Sequence, residues 1–106
     1  MATEYCRIEV TCPEDRAEAL AEKIFEAKLA ACVHISSPFK TIYEWEGKIE
    51  HGCEVTLALN THRDKYAEIE AFARANHPFE CPSITMHLID NGYKEYFKWI
   101  DDSLAG

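Results

Sequence analysis

Two long runs of extended character meet at Glu46-Gly47-Lys48, and that pairing constrains the fold more than any other feature. On the incoming side, Cys32 to Glu46 reads as extended, with a kink or bulge expected at Ser36-Ser37-Pro38, because proline has no N–H for a ladder. Phe39, Thr41, Tyr43 and Trp45 share one face of its later part. The returning run, Ile49 to Thr61, alternates Cys53, Val55, Leu57 and Leu59 against Glu54, Thr56 and Ala58. The two form a long antiparallel hairpin, and what flanks it must supply a sheet to extend and helices to cover it.

The flanks do so in matching order. Cys6, Ile8 and Val10 alternate with Arg7 and Glu9, which predicts a strand over Tyr5 to Thr11. Pro13, at an expected first helical position, and the acids Glu14 and Asp15 open a helix. Its apolar side carries Ala17, Leu20, Ala21, Ile24, Ala27 and Ala31, so the helix is expected to run to Cys32. After the hairpin, Asp64 is expected to cap a second helix with Tyr66, Ile69, Phe72 and Ala73 on one face, stopped at Asn76-His77-Pro78. A strand over Ser83 to Asp90 follows. Asn91 is then expected to cap a C-terminal helix with Tyr93, Tyr96, Phe97, Ile100 and Leu104 on one stripe. Strand-helix-strand twice over, with a hairpin between the units, is an α+β, ferredoxin-like split βαβ arrangement (βαββαβ) with an added C-terminal helix. A four-stranded antiparallel sheet is expected, in one domain over residues 1–106.

Charge and composition narrow the function. The formal net charge is -8, so a phosphate backbone or an anionic membrane surface would be repelled. No nucleic-acid or membrane partner is expected, and no apolar run approaches the ~18 residues that span a bilayer. Met1-Ala2-Thr3-Glu4-Tyr5 lacks the basic and apolar stretches of a secretory signal, which predicts a cytoplasmic protein whose five cysteines stay reduced. Catalytic signatures are missing: there is no nucleophile elbow and no zinc-hydrolase motif, and four glycines leave no phosphate-cradling loop. An enzyme is not expected.

Five ordered segments carry a family resemblance: Lys28-Leu29-Ala30-Ala31-Cys32-Val33; Tyr43-Glu44-Trp45-Glu46-Gly47-Lys48-Ile49-Glu50; Glu54-Val55; His77-Pro78-Phe79-Glu80-Cys81-Pro82; and Tyr96-Phe97-Lys98-Trp99-Ile100. Across roughly residues 8 to 104 the chain resembles the CutA family. The resemblance implies a ferredoxin-like subunit in a tight homotrimer, cytoplasmic in microbes and associated with tolerance to copper and other divalent cations. It also implies clefts between subunits, lined here by Cys32, Tyr43, Trp45, Glu54 and His77. The copper ligands proposed in a bacterial member, one cysteine and two histidines, fall on Val10, Asn76 and His77, so His77 alone is kept. The family's usual lysine late in the long strand is Asn60 here, and its usual tyrosine after His77-Pro78 is Phe79.

Residue chemistry bears on these implications. Thiolate and imidazole suit copper or zinc, but the five Cys and five His show neither HxxxH nor CxxC spacing, so any cation site must be assembled by folding or between subunits. His77 either faces a cleft or stops its helix by bonding a backbone carbonyl. Cys32 reads as a packing thiol at a helix C-terminus, whose partial charge opposes a thiolate. Tyr43 and Trp45 suit an oligomer interface or a ligand platform. Glu54 is either a cleft carboxylate or a solvated strand glutamate. A second functional reading is a trimeric sensor of a small anion or nucleotide, by architectural analogy to PII-type signalling proteins. Asn60 and the net charge count against it.

Overall fold

A computed structural model of the chain describes residues 4–105. The elements run β1 (Tyr5–Pro13), α1 (Glu14–Glu26), β2 (Cys32–Ile35), β3 (Phe39–Trp45), β4 (Lys48–His62), a 3-10 turn (Arg63–Lys65), α2 (Tyr66–Asn76), β5 (Ile84–Leu88) and α3 (Lys94–Ala105). The antiparallel sheet is ordered β2-β4-β1-β5, with β3 also paired to β4, and the fold is ferredoxin-like.

The edge strand expected as one element is split into β2 and β3, which makes five strands where four were anticipated. Register shows why. Ile35 pairs Leu57 but Phe39 pairs Glu54, so four steps on one strand oppose three on the other. That mismatch is a bulge at Ser36-Ser37-Pro38, and Pro38 falls where no ladder donor is needed. Ser36 holds the junction: its N–H donates to the Thr56 carbonyl at 3.0 Å, and its Oγ accepts from the Thr56 N–H at 2.8 Å.

The core lies between the sheet and α1 and α2. Cys6, Ile8, Val10 and Cys12 of β1 alternate inward against Leu57, Leu59, Leu20, Ile24 and Ile69. Thr61 joins this face because its hydroxyl donates to the Leu29 carbonyl at 2.7 Å. On the opposite face α3 covers one end. Phe97 stacks on Tyr5 with ring centroids 4.2 Å apart, and Ile100 is fully buried.

Several helix ends differ from expectation. α1 stops at Glu26, although alanines continue to Ala31. The Lys28 N–H donates to Phe25 O at 3.0 Å and the Leu29 N–H to Ile24 O at 3.4 Å, with Lys28 left-handed at φ 61°. This is a Schellman stop, sealed by burial of Leu29 and Ile24. Cys32 therefore opens β2 and is not at a helix terminus. Asn91 does not cap α3, which starts at Lys94; its side chain accepts from the Gly92 N–H at 2.9 Å. Gly92 has no room for a side chain, since a Cβ there would sit 2.6 Å from the Phe97 ring. Asp64 likewise lies within the 3-10 turn and makes no capping bond to α2.

β4 outruns its neighbours. β1 pairs only Glu54 to His62, so Lys48–Cys53 have β3 alone as a partner. Trp45 pairs Lys48 across Glu46-Gly47, both at positive φ, which is the turn geometry that matches strand twist. The resulting two-stranded arm stretches the molecule to 46 × 28 × 24 Å. Its radius of gyration is 14.7 Å, against about 13 Å for a compact chain of this length.

Candidate functional site

A cleft of about 420 Å³ opens at the root of the arm. Tyr43 and Trp45 come from β3, Glu54 from β4, Thr11 from β1, and Pro78, Phe79, Glu80, Cys81 and Ser83 from the α2–β5 connection. Strand parity explains the convergence. Thr11 pairs Thr56, Pro13 pairs Glu54, and Phe39 pairs Glu54, so odd residues of β1 and β3 share a face with even residues of β4. That face turns toward the 78–83 connection where Thr11 N–H donates to Ser83 O at 3.3 Å.

Glu54 is buried, with 8% of its surface exposed, and accepts from the Thr41 hydroxyl at a long 3.4 Å. Gly52, opposite Thr41, leaves this approach open: a Cβ there would meet Thr41 Oγ1 at 2.9 Å. His77 stands behind the cleft wall. Its Nε2 donates to the Thr11 carbonyl at 2.7 Å and its Nδ1 accepts from the Phe79 N–H at 3.0 Å, which fixes the tautomer and commits both nitrogens.

Residues 6–103 match the CutA1 divalent ion tolerance protein family. This chain belongs to the CutA1 family. The divalent-cation tolerance protein CutA of Archaeoglobus fulgidus is 39% identical over 98 residues, covering 92% of this chain and 95% of that protein. A solved structure described as the periplasmic divalent cation tolerance protein CutA of that organism superposes with a TM-score of 0.89 at 38% identity, covering 94% of this chain and 98% of that one. A Xenopus laevis CutA homolog is 38% identical; the match covers 88% of this chain but only 62% of that longer relative. Among the described residues of this CutA1 chain, no helix is long and apolar enough to cross a membrane.

Within a single chain, the donors implied for copper do not assemble. Val10 is an apolar core residue with no exposed surface, and Asn76 donates its amide to the Phe72 carbonyl at 2.8 Å. A cation at His77 would displace one of its two hydrogen bonds. Among the described residues no group of three or more His, Cys, Asp and Glu is placed to hold a metal ion. The donors that the resemblance implied for copper thus form no cation site among the described residues of one subunit.

Cys32 stands apart from Tyr43, Trp45 and Glu54. It pairs Asn60, six positions along β4 from Glu54, a separation of about 20 Å. There Asn60 Nδ2 donates to Tyr96 Oη at 2.8 Å and to Cys32 Sγ at 3.6 Å, while His34 Nε2 lies 3.8 Å from the sulfur. Burial raises the Tyr96 pKa, and the neighbouring Cys32 sulfur pushes the same way. This polar cluster joins β2, β4 and α3. Sequence reasoning missed it, because nothing local links Asn60 to Tyr96.

The five free thiols divide by environment. Cys53 and Cys81 are exposed, Cys32 is half-buried, and Cys6 and Cys12 are in the core. Burial pushes the Cys6 thiol up to about 11 from an ordinary 9.0 and raises Cys12 in the same direction. At neutral pH a thiol reagent is expected to modify Cys53 and Cys81 quickly and to reach Cys6 and Cys12 only on unfolding. Folded Cys6 keeps its proton where the unfolded chain loses it. Its contribution to stability is therefore complete below about pH 9 and is lost as pH rises toward about 11. Denaturant midpoints measured from pH 8 to 11 should fall across that window, and a Cys6→Val variant should fall less steeply.

Proposed function

We propose that this one-domain CutA1 chain works as a cytoplasmic homotrimer, acts by binding rather than catalysis, and meets divalent cations, copper among them, in the seams between subunits. The observation that carries the reading is the arm. A two-stranded ribbon is marginal in water by itself, and this one exposes apolar side chains on both faces. Ile42 and Ile49, diagonal neighbours on one face, are 70% and 71% exposed, while Tyr43 and Trp45 lie on the other. Exposed apolar surface of this kind marks association. Among the described residues the donors of one subunit do not converge, so this reading places a cation site between subunits. The relatives' names support the link to divalent-cation tolerance.

Sedimentation at micromolar concentration is expected to give about 36 kDa, three times the chain mass of 12.1 kDa. A stable 12.1 kDa species would remove the assembly. A cation at His77 must displace its bond to Thr11 or to Phe79; copper titration of the trimer under reducing conditions is expected to be weakened by His77→Ala if a partner subunit completes such a site. Equal affinity of both proteins would end a role for His77 in cation binding.

A further inference from the structure

We propose that Glu54 fixes the register of the assembly: in the seam, a lysine or arginine of a neighbouring copy lies across the rings of Tyr43, Trp45 and Phe79 and ends on the Glu54 carboxylate. This rests on the association argued above and goes beyond it, because it names the charge that one copy must bring to the next.

The burial of Glu54 does not depend on what surrounds the subunit. Its own chain leaves it only 8% exposed, and a neighbour can only lower that figure. Among the described residues it forms no ion pair, and its hydrogen bond from the Thr41 hydroxyl is a long 3.4 Å. The charge is felt inside the subunit: burial raises the Cys12 thiol, and the Glu54 carboxylate pushes it further up. A carboxylate taken from water is poorly compensated without a positive charge beside it. The chain's own cations near the cleft do not reach it. The cleft lining holds no Lys, Arg or His, and Glu80 adds a second carboxyl. Lys40 pairs Cys53 and so lies on the other face of the arm. Lys48 shares the face of Glu54 but stands six positions along β4, about 20 Å away. His77 has both nitrogens committed.

The rings point to a side chain as the source of that charge. Tyr43, Trp45 and Phe79 keep 44%, 42% and 37% of their surface exposed in the isolated subunit, and Tyr43 and Trp45 belong to the arm that carries the association. A bare ion would leave these rings in water. A lysine stem or a guanidinium plane covers them while its charge reaches the carboxylate. Apolar surfaces tolerate sliding, whereas a buried carboxylate left off its partner does not. The isoleucine face of the arm thus contributes affinity, and Glu54 selects one alignment of the copies.

Sedimentation of the wild type comes first, since a 12.1 kDa species would remove the association reading and this proposal with it. Given an assembly of about 36 kDa, Glu54→Lys sets like charges against each other and is expected to sediment as single chains. Glu54→Gln leaves the neighbour's cation unpaired and should raise the dissociation midpoint at least about tenfold. Glu80→Gln removes an exposed carboxyl from the same cleft and should stay within about twofold of wild type. Circular dichroism checks that each variant folds. A folded Glu54→Lys protein that assembles like wild type would overturn the proposal and leave the association reading standing. Equal effects of Glu54→Gln and Glu80→Gln would do the same. If neither Glu54 variant folds, a crystal structure of the assembled wild type decides. It is expected to place a basic nitrogen of a neighbouring copy within about 3.2 Å of the Glu54 carboxylate. A carboxylate that instead faces water, a metal ion or only its own chain would overturn the proposal.

Discussion

Replacing both Ile42 and Ile49 with aspartate should convert the proposed trimer of about 36 kDa into folded single chains of 12.1 kDa. The two side chains are 70% and 71% exposed in the isolated subunit, so the subunit loses little when they become polar. Each isoleucine buried at an interface contributes roughly 1.5–3 kcal/mol. Losing both costs about 3–6 kcal/mol per arm, or roughly two to four decades in the association constant. The charge acts in the same direction, because each chain passes from -8 to -10 (two added aspartates) and three such chains must then sit together. Sedimentation reads the mass, and circular dichroism confirms that the fold persists. A folded double variant that still sediments at about 36 kDa would show that subunits join elsewhere than through the arm.

Ile8→Ala should be the most damaging single truncation in the sheet, with a loss of about 3–4 kcal/mol. Ile8 lies at the middle of β1, between Leu59 of β4 and Met86 of β5, and has no exposed surface. The chain cannot collapse into the gap, because β1 is hydrogen-bonded on both sides and capped by the core residues of α1. Domains of this size are stable by about 5–15 kcal/mol, so the loss is a large share of the total. Since the proposed assembly would make unfolding depend on concentration, wild type and variant must be compared at one protein concentration. Glu18→Ala, on the exposed side of α1, serves as the control and should stay within about 0.5 kcal/mol of wild type. A loss under about 1 kcal/mol for Ile8→Ala would mean that β1 is not the centre of the core.

Much of the architecture was legible in the residues because it is written locally. Alternation along β1 and β4, the Glu46-Gly47 turn, the proline at the bulge and the Asn76-His77-Pro78 stop each follow from backbone and side-chain preferences within a few residues. Tyr43 and Trp45 could be placed on one strand face by alternation, but their grouping with Glu54 came from the family resemblance; the register, in which Glu54 pairs Phe39, puts all three on one face. The contribution of Pro78, Phe79, Glu80 and Cys81 to the same cleft was half visible, since the His77-Pro78 break marks a loop but not where the loop lands. Nothing local marked the aromatic and acidic walls as one surface.

The sequence by itself determined the periodicities, the turns and thus the order of strands and helices, because those are set by interactions between near neighbours in the chain. Only the tertiary structure decided where α1 ends, that Cys32 lies about 20 Å along β4 from Glu54, and that both nitrogens of His77 are spent on Thr11 and Phe79. Each of these is a competition between alternatives of similar local merit. The alanines after Glu26 favour a longer helix, yet burial of Leu29 against the core and the bond from the Ala31 N–H to the Asn60 carbonyl reward ending it early. Such rewards come from partners tens of residues away, and they exist only once the sheet has formed.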